Sequence, residues 1–520
     1  MRSVEFYGCI LVFLGLREHK EVNLMKKVLS VLLAIAMLFS LTAFAFAEEN
    51  TAGDPIIYVY GFGRCTLTRD IGTENETAVF MPDQKTVAKT VTKLAAPYAE
   101  FKLKGDYHKF ALAVCDAANY MFDGARCDEN GDSIYNVAPI EQNIVSAEQK
   151  YGQLNYFYYD WRLDITLVAD QLNDYINAVL EATGKKKVAL VCESMGGCVG
   201  TSYLVKYGHD KCSSIIMDSV ATYGVRLFDE ILLGNFKLNP GAVYDYLRAF
   251  GFIRRNEIVN KTLANFGALG GFDALLEDVG VTVENCKGDF YENFIYPTLA
   301  TIPGLWAFVS DENFAECKNR AGIVEGTPLA DKINNYHYNV KPYADSVLKE
   351  ALDDGVKLAI LSGYGFTCTP VISDLSFQSD FLIGTKEASY GATCAKFGET
   401  FDDSYIQKID DGHNHISGDR VIDASTCKFP ENTWLIKNAI HTMLDDNFLC
   451  WVAYTDGEVN ITANENFPQF LEWVKPVYVP LTDSVNDTSI PSWYTKLLTV
   501  FIKLIRKVLP LLTGPIFKTA

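Results

Sequence analysis

Val188-Ala-Leu-Val-Cys192-Glu193-Ser194-Met195-Gly196-Gly197 runs an unbroken apolar stretch into a serine, and Val199 to Tyr207 then follows at helical spacing. A strand that turns sharply into a helix at a serine holds the hydroxyl exposed at the strand's end, in a backbone conformation that tolerates only small neighbours two residues away on each side. Gly196 meets that requirement, and Cys192 stands where glycine is commoner but is still small. The plainer reading of the same serine is a cap on the helix that follows. The flanking strand and helix favour a nucleophile.

Outward from this segment the chain alternates strand and helix. Pro55 to Tyr60 is a short β-branched and aromatic run that ends at Gly61-Phe62-Gly63, and Leu154 to Tyr159 ends at Asp160-Trp161-Arg162. Leu167, Val168, Leu172, Ile176, Val179 and Leu180 recur at helical spacing, and Gly184 closes that helix. Ser213 to Ser219, Val356 to Leu361 and Thr433 to Ile436 are further apolar strands. Such alternation predicts an α/β fold with a parallel sheet covered on both faces. Residues 221–350 interrupt the rhythm with aromatics and no alternating strands, which predicts a helical cap over the sheet's carboxyl edge. The expected organisation is a leader over 1–47, a core over 48–220 and 351–480, the cap over 221–350, and a basic amphipathic tail over 490–517.

A serine needs a histidine base and a carboxylate to orient it, with the acid lying between the other two in an architecture of this kind. His441, just past Thr433–Ile436, would be delivered to the carboxyl edge of the sheet. His413 and His415 sit in the polar turn Asp410–His415 and read as exposed turn histidines. For the acid, Asp419 follows a glycine, with Asp423 and Asp374 in reserve. The tetrahedral oxyanion would be met by backbone N–H groups of Met195 and of the Gly61-Phe62-Gly63 turn, Phe62 before Gly63.

Taken in order, Pro55–Gly63, Tyr159-Asp160-Trp161-Arg162-Leu163, the Ser194 turn, Ser362-Gly363-Tyr364-Gly365 before Thr369-Pro370, Gly418-Asp419 and His441 resemble lecithin:cholesterol acyltransferase-like α/β hydrolases over most of 54–445. The resemblance implies an α/β-hydrolase fold, a Ser194, Asp419, His441 triad, an oxyanion hole from Phe62 and Met195, acyl-ester or phospholipid substrates, and no cofactor. Two departures stand out: Cys192-Glu193 where a Gly-His pair is commoner, and an acidic turn at Asp419–Asp423 that is one residue short. The expected function is a secreted serine hydrolase of acyl esters, lipid or phospholipid, with acyl transfer to an alcohol as a further outcome. The rival is an exported, catalytically inactive binding protein on the same fold. Asp160 and Arg162 read as an ion pair bracing a strand end.

The chain has 520 residues and a net charge of −19. Residues 1–47 carry +2 and 490–520 carry +5, so the body carries −26. A body this acidic, with no basic patch, excludes nucleic acid as a partner. Met25-Lys26-Lys27, the apolar run from Val28 and the Ala45-Phe46-Ala47 end predict an export signal with its start at Met25 and cleavage near Ala47. Export permits disulfides, with Cys115/Cys127 and Cys286/Cys317 the locally plausible pairs. No metal site is expected: there is no C-x-x-C pair, and Asp128–Asp132 fails the calcium-loop spacing. In the tail, Leu497, Phe501, Leu504, Ile505 and Val508 oppose Lys496, Lys503, Arg506 and Lys507, which predicts membrane-surface association through 492–512.

Overall fold

The computed structural model describes residues 53–79, 84–140, 142, 144, 154–239, 271–369, 371–442 and 444–473. The leader and the basic tail lie outside these residues. Seven strands form the central sheet: β1 (Ile56–Val59), β2 (Leu154–Phe157), β3 (Val188–Glu193), β4 (Cys212–Asp218), β5 (Lys357–Tyr364), β6 (Thr433–Lys437) and β7 (Phe470–Glu472). Their order is β7-β6-β5-β4-β3-β1-β2, and every neighbouring pair is parallel. Every residue of β3 is buried, as expected of a central strand covered on both faces.

Helices cover the sheet where the sequence periodicity places them. In Ile165–Thr183, the residues Ile165, Val168, Leu172, Ile176 and Val179 form the buried stripe. Asp164 caps its start by accepting from the Thr166 N–H at 2.8 Å, and Gly184 ends it at φ 66°, a left-handed position that glycine takes without steric cost. Ala344–Asp353 buries Leu348 and Ala351 in the same core. The sequence boundary at 350 therefore falls inside a core helix.

Among the described residues of 221–350 there are helices and no strand. This region shares its hydrophobic cluster with a stretch inside 48–220, expected to belong to the α/β core. In Tyr107–Phe122, Ala111 and Cys115 pack in one cluster with Leu232, Phe236, Phe290, Tyr291, Trp306 and Phe314. Two small residues one turn apart let the neighbouring helices approach closely. Asn119 fixes the contact, accepting from the Thr298 hydroxyl at 2.7 Å and donating to the Asn293 carbonyl at 2.7 Å. The twelve described cysteines are all free thiols. Cys115 and Cys127 lie in different clusters, whereas Cys286 and Cys317 share one; neither of the pairs considered from the sequence is formed. No helix of the described residues is long and apolar enough to cross a membrane.

Candidate active site

From β1 the chain crosses to β2 on one side, and from β3 onward it builds the sheet on the other. The connections therefore diverge at the carboxyl ends of β1 and β3, which opens a crevice where ligands bind in sheets of this kind. The two turns at that crevice are Gly61-Phe62 and Ser194.

Ser194 has φ 55° and ψ −117°, a strained conformation for a residue with a side chain. Its surroundings hold it there. The Ser194 N–H donates to the Asp218 carbonyl at 3.0 Å, and the Ser194 carbonyl accepts from Ala221 N–H at 3.0 Å. A Cβ at Gly196 would lie 2.2 Å from the Val59 carbonyl oxygen, and one at Gly61 would lie 2.6 Å from Ser194 Cβ. Neither position admits another residue without moving backbone or the nucleophile. The unusual Cys192 is accommodated one turn into the helix: a Cβ at Gly200 would come within 2.4 Å of Cys192 Sγ. The thiol thus fills the space that Gly200 leaves open.

His441 follows β6 and reaches the same edge. Its Nδ1 lies 2.8 Å from Asp380 Oδ2, and its backbone N–H donates to the Asp380 carbonyl at 2.9 Å. Asp380 is buried, and its other oxygen accepts the N–H groups of Leu382 and Ile383 at 3.0 and 2.8 Å. Three nitrogen groups thus converge on this one carboxylate. With Nδ1–H donated to Asp380, Nε2 carries the lone pair. Burial lowers the His441 pKa, but the charge and hydrogen bond of Asp380, then Glu193 and Asp218, outweigh it and raise the value above 6.5.

One guanidinium nitrogen ties the His441 turn to the strand that ends at Ser194. Arg64 Nη1 is 3.3 Å from Glu193 Oε1, beside Ser194, and 3.4 Å from Thr442 Oγ1, beside His441. Glu193 also accepts from the Tyr58 hydroxyl at 2.8 Å, and burial raises its pKa. Asp218 at the end of β4 is fully buried, and burial followed by Glu193 pushes it up to about 7.

The structure does not bring Asp419 to His441. Asp419 Oδ2 pairs with Lys437 Nζ at 2.9 Å, and Oδ1 accepts from the Ser417 hydroxyl at 2.6 Å. Burial alone would raise its pKa, but Ser417 and Lys437 hold it below the usual range. Asp423 accepts from the Tyr405 hydroxyl and the Ser425 N–H, and Asp374 pairs with Arg226. Asp380 takes the place proposed for them. The signal was its position after β5 rather than a glycine turn: Gly363 lies in β5, and a Cβ there would meet Asp380 Cβ at 2.9 Å and the Ala439 carbonyl oxygen at 2.6 Å. That glycine admits both Asp380 and the turn that carries His441.

Met195 opens the helix after Ser194, where N–H groups lack intrahelical acceptors. Phe62 packs against the core cluster that includes Met195, its ring edge-on to Trp161 at 4.6 Å and to Phe308 at 5.9 Å. Gly304 fits against the Trp161 carbonyl, where a Cβ would lie 2.1 Å away, so the Pro303–Phe308 turn roofs this corner. Arg162 forks onto Asp160 at 2.9 and 2.6 Å, is 1% exposed, and holds Ser133 at 2.8 Å. That pair braces the strand end.

Residues 149–318 match the family model described as alpha/beta hydrolase fold, in agreement with the parallel sheet and its helices. A comparison with curated proteins finds none that matches. Among solved structures, the crystal structure of a Tle4–Tli4 complex is similar at 14% identity over 35% of this chain, with a TM-score of 0.19. The chain spans about half of that one, 48%, and a likeness this slight carries no argument.

Proposed function

We propose that this chain is an exported serine hydrolase of acyl esters, with lipid or phospholipid substrates, as the resemblance to lecithin:cholesterol acyltransferase-like enzymes implies. The observation that carries the reading is the Asp380–His441 hydrogen bond at the sheet edge where Ser194 sits in its strained turn. Proteins of the α/β-hydrolase fold are mostly hydrolases. No observation favours an inactive binding protein, since the carboxylate, the imidazole and the strained serine have separate supports.

In this reading Ser194 Oγ attacks the ester carbonyl carbon while His441 Nε2 takes the hydroxyl proton. Asp380 holds the Nδ1–H tautomer and stabilises the imidazolium. The oxyanion is met by the N–H groups of Met195 and Phe62. Collapse breaks the ester C–O bond, His441 gives its proton to the leaving alkoxide, and an acyl-Ser194 remains. Water, or an alcohol in a transferase, then repeats the sequence in reverse, with His441 again as base.

An apolar acyl chain fits the corner beside Ser194, where the partly buried Phe62 and Phe228 flank Phe308. The described aromatics Phe236, Phe290, Tyr291, Trp306 and Phe314 of 221–350 do not add to it, since they pack among themselves. Export rests on the leader, and membrane docking on the tail; both are sequence arguments. The test is hydrolysis of p-nitrophenyl esters of increasing chain length by the purified chain and by His441→Ala. Turnover that rises with chain length and vanishes in the variant supports the reading, whereas an acetyl optimum argues against lipid and unaltered turnover in His441→Ala refutes the mechanism.

A further inference from the structure

The turn Asp410–His415 has no role in the site above, and His415 is not the exposed turn histidine that the sequence suggests. It is fully buried. Its Nε2 lies 3.0 Å from both oxygens of Asp411 and 3.5 Å from Glu431 Oε1. His413 Nδ1 lies 2.6 Å from the same Glu431 oxygen. The donor atoms of these four residues all fall within 4.8 Å of one another.

The tautomer of His415 follows from its far side. Gln469 Nε2 donates to the carbonyls of Pro430 and Thr433 at 2.8 and 3.2 Å. Its amide oxygen must therefore face His415 Nδ1, 2.7 Å away, and accept that nitrogen's proton. In the neutral ring Nε2 then presents a lone pair toward two carboxylates. A single proton on Nε2 could not serve three carboxylate oxygens, whereas a cation among them would satisfy all four side chains. A metal-ligating imidazole is usually oriented by a hydrogen bond from its second nitrogen to an acceptor oxygen, and the Gln469 amide oxygen supplies one here. The imidazole is also fixed through its backbone, since the His415 N–H donates to Gln407 Oε1 at 2.9 Å and the His415 carbonyl accepts from Ala424 N–H at 2.8 Å.

We propose that Asp411, His413, His415 and Glu431 form a divalent-metal site that pins the 405–425 excursion to the base of β6 and β7. Two imidazoles and two carboxylates suit zinc; calcium would want oxygen donors throughout. Zinc bonds of about 2.0 Å give tetrahedral edges of about 3.3 Å, and the observed separations straddle that value. Glu431 lies two residues before β6, Gln469 directly precedes β7, and His441 follows β6 at its other end. The site is therefore structural and remote from the nucleophile. The exposed edges of Asp411, His413 and Glu431 leave an entry from solvent.

The test uses the full chain, freed of metal and then dialysed against zinc. Expected are one equivalent of zinc per chain, a Tm lowered by EDTA and restored by zinc, and the intense visible d–d band of tetrahedral cobalt(II) on substitution. His413→Ala, at an exposed position that keeps the fold by circular dichroism, should lose affinity at least tenfold. Gln469→Ala should lose 10- to 100-fold. Substoichiometric zinc in the wild-type chain, a Tm indifferent to EDTA, or affinity unchanged in His413→Ala would each overturn the proposal and leave a hydrogen-bonded cluster around His415.

Discussion

Cys192 and Gly200 should behave as one unit. In Gly200→Ala the new methyl would sit 2.4 Å from Cys192 Sγ, inside a region where Cys192 and the helix around it are fully buried. Overpacking of this kind costs about 1–3 kcal/mol, and the gain in helix propensity returns roughly 1 kcal/mol. The net loss should be about 0–2 kcal/mol. Cys192→Ala removes one buried heavy atom and leaves a small void, at a cost of roughly 1 kcal/mol. In the double variant the methyl enters the space of the thiol, with its next neighbours Cys192 Cβ at 3.6 Å and Leu190 Cδ2 at 4.0 Å. Its stability should return to within about 0.5 kcal/mol of wild type. Urea unfolding of the four proteins measures the coupling, expected at about 2 kcal/mol. Additive single effects, within about 0.5 kcal/mol, would refute the claim that Gly200 is what admits cysteine before the nucleophile.

Asp380→Asn should lower kcat by roughly 10³- to 10⁴-fold, as loss of the orienting carboxylate does in triads of this type, while Asp419→Asn costs only a partly exposed ion pair, under about 1 kcal/mol of stability, and leaves turnover intact; steady-state kinetics on one soluble ester decides between them. His441 must be neutral to accept a proton, and its pKa is raised above 6.5 by Asp380, so the acid limb of kcat/KM should bend above pH 6.5, with Asp419→Asn keeping that bend where it is. Asp218 titrates at about 7 in the fold against 3.8 in the free chain, because burial disfavours its charge. Its contribution is fully present below pH 3.8 and is lost as pH rises through 7, so Asp218→Asn should gain stability over wild type by up to about 4 kcal/mol at pH 8; parallel stability profiles of the two proteins between pH 4 and 8 would contradict this.

The elements that decide the sheet were legible because burial on both faces leaves continuous apolar runs, and Val188–Glu193 and Thr433–Lys437 lie where the sequence puts them. The serine turn was legible for the same reason: its small neighbours and its flanking strand and helix are local. The acid was not. Asp380 is brought to His441 by a loop that leaves β5 and folds back, and the clue, Gly363 beneath its Cβ, acts across the sheet edge. Asp419 carried the more conspicuous glycine turn, yet Lys437 in β6 claims it. The long stretch between β4 and β5 was partly legible. Its aromatics marked 221–350, but Ala111 and Cys115 are small, and nothing in their spacing tells that they face Phe290 and Tyr291. His415 was missed because polar neighbours in sequence suggest exposure, whereas Gln469, 54 residues on, buries it.

The central claim is that Ser194 is an activated nucleophile. A fluorophosphonate probe applied to the folded chain, followed by peptide mass spectrometry, tests it directly. One adduct on Ser194 is expected, abolished in Ser194→Ala and strongly slowed in His441→Ala and Asp380→Asn. No adduct on the folded wild-type chain, or labelling that persists in Ser194→Ala, would contradict the account.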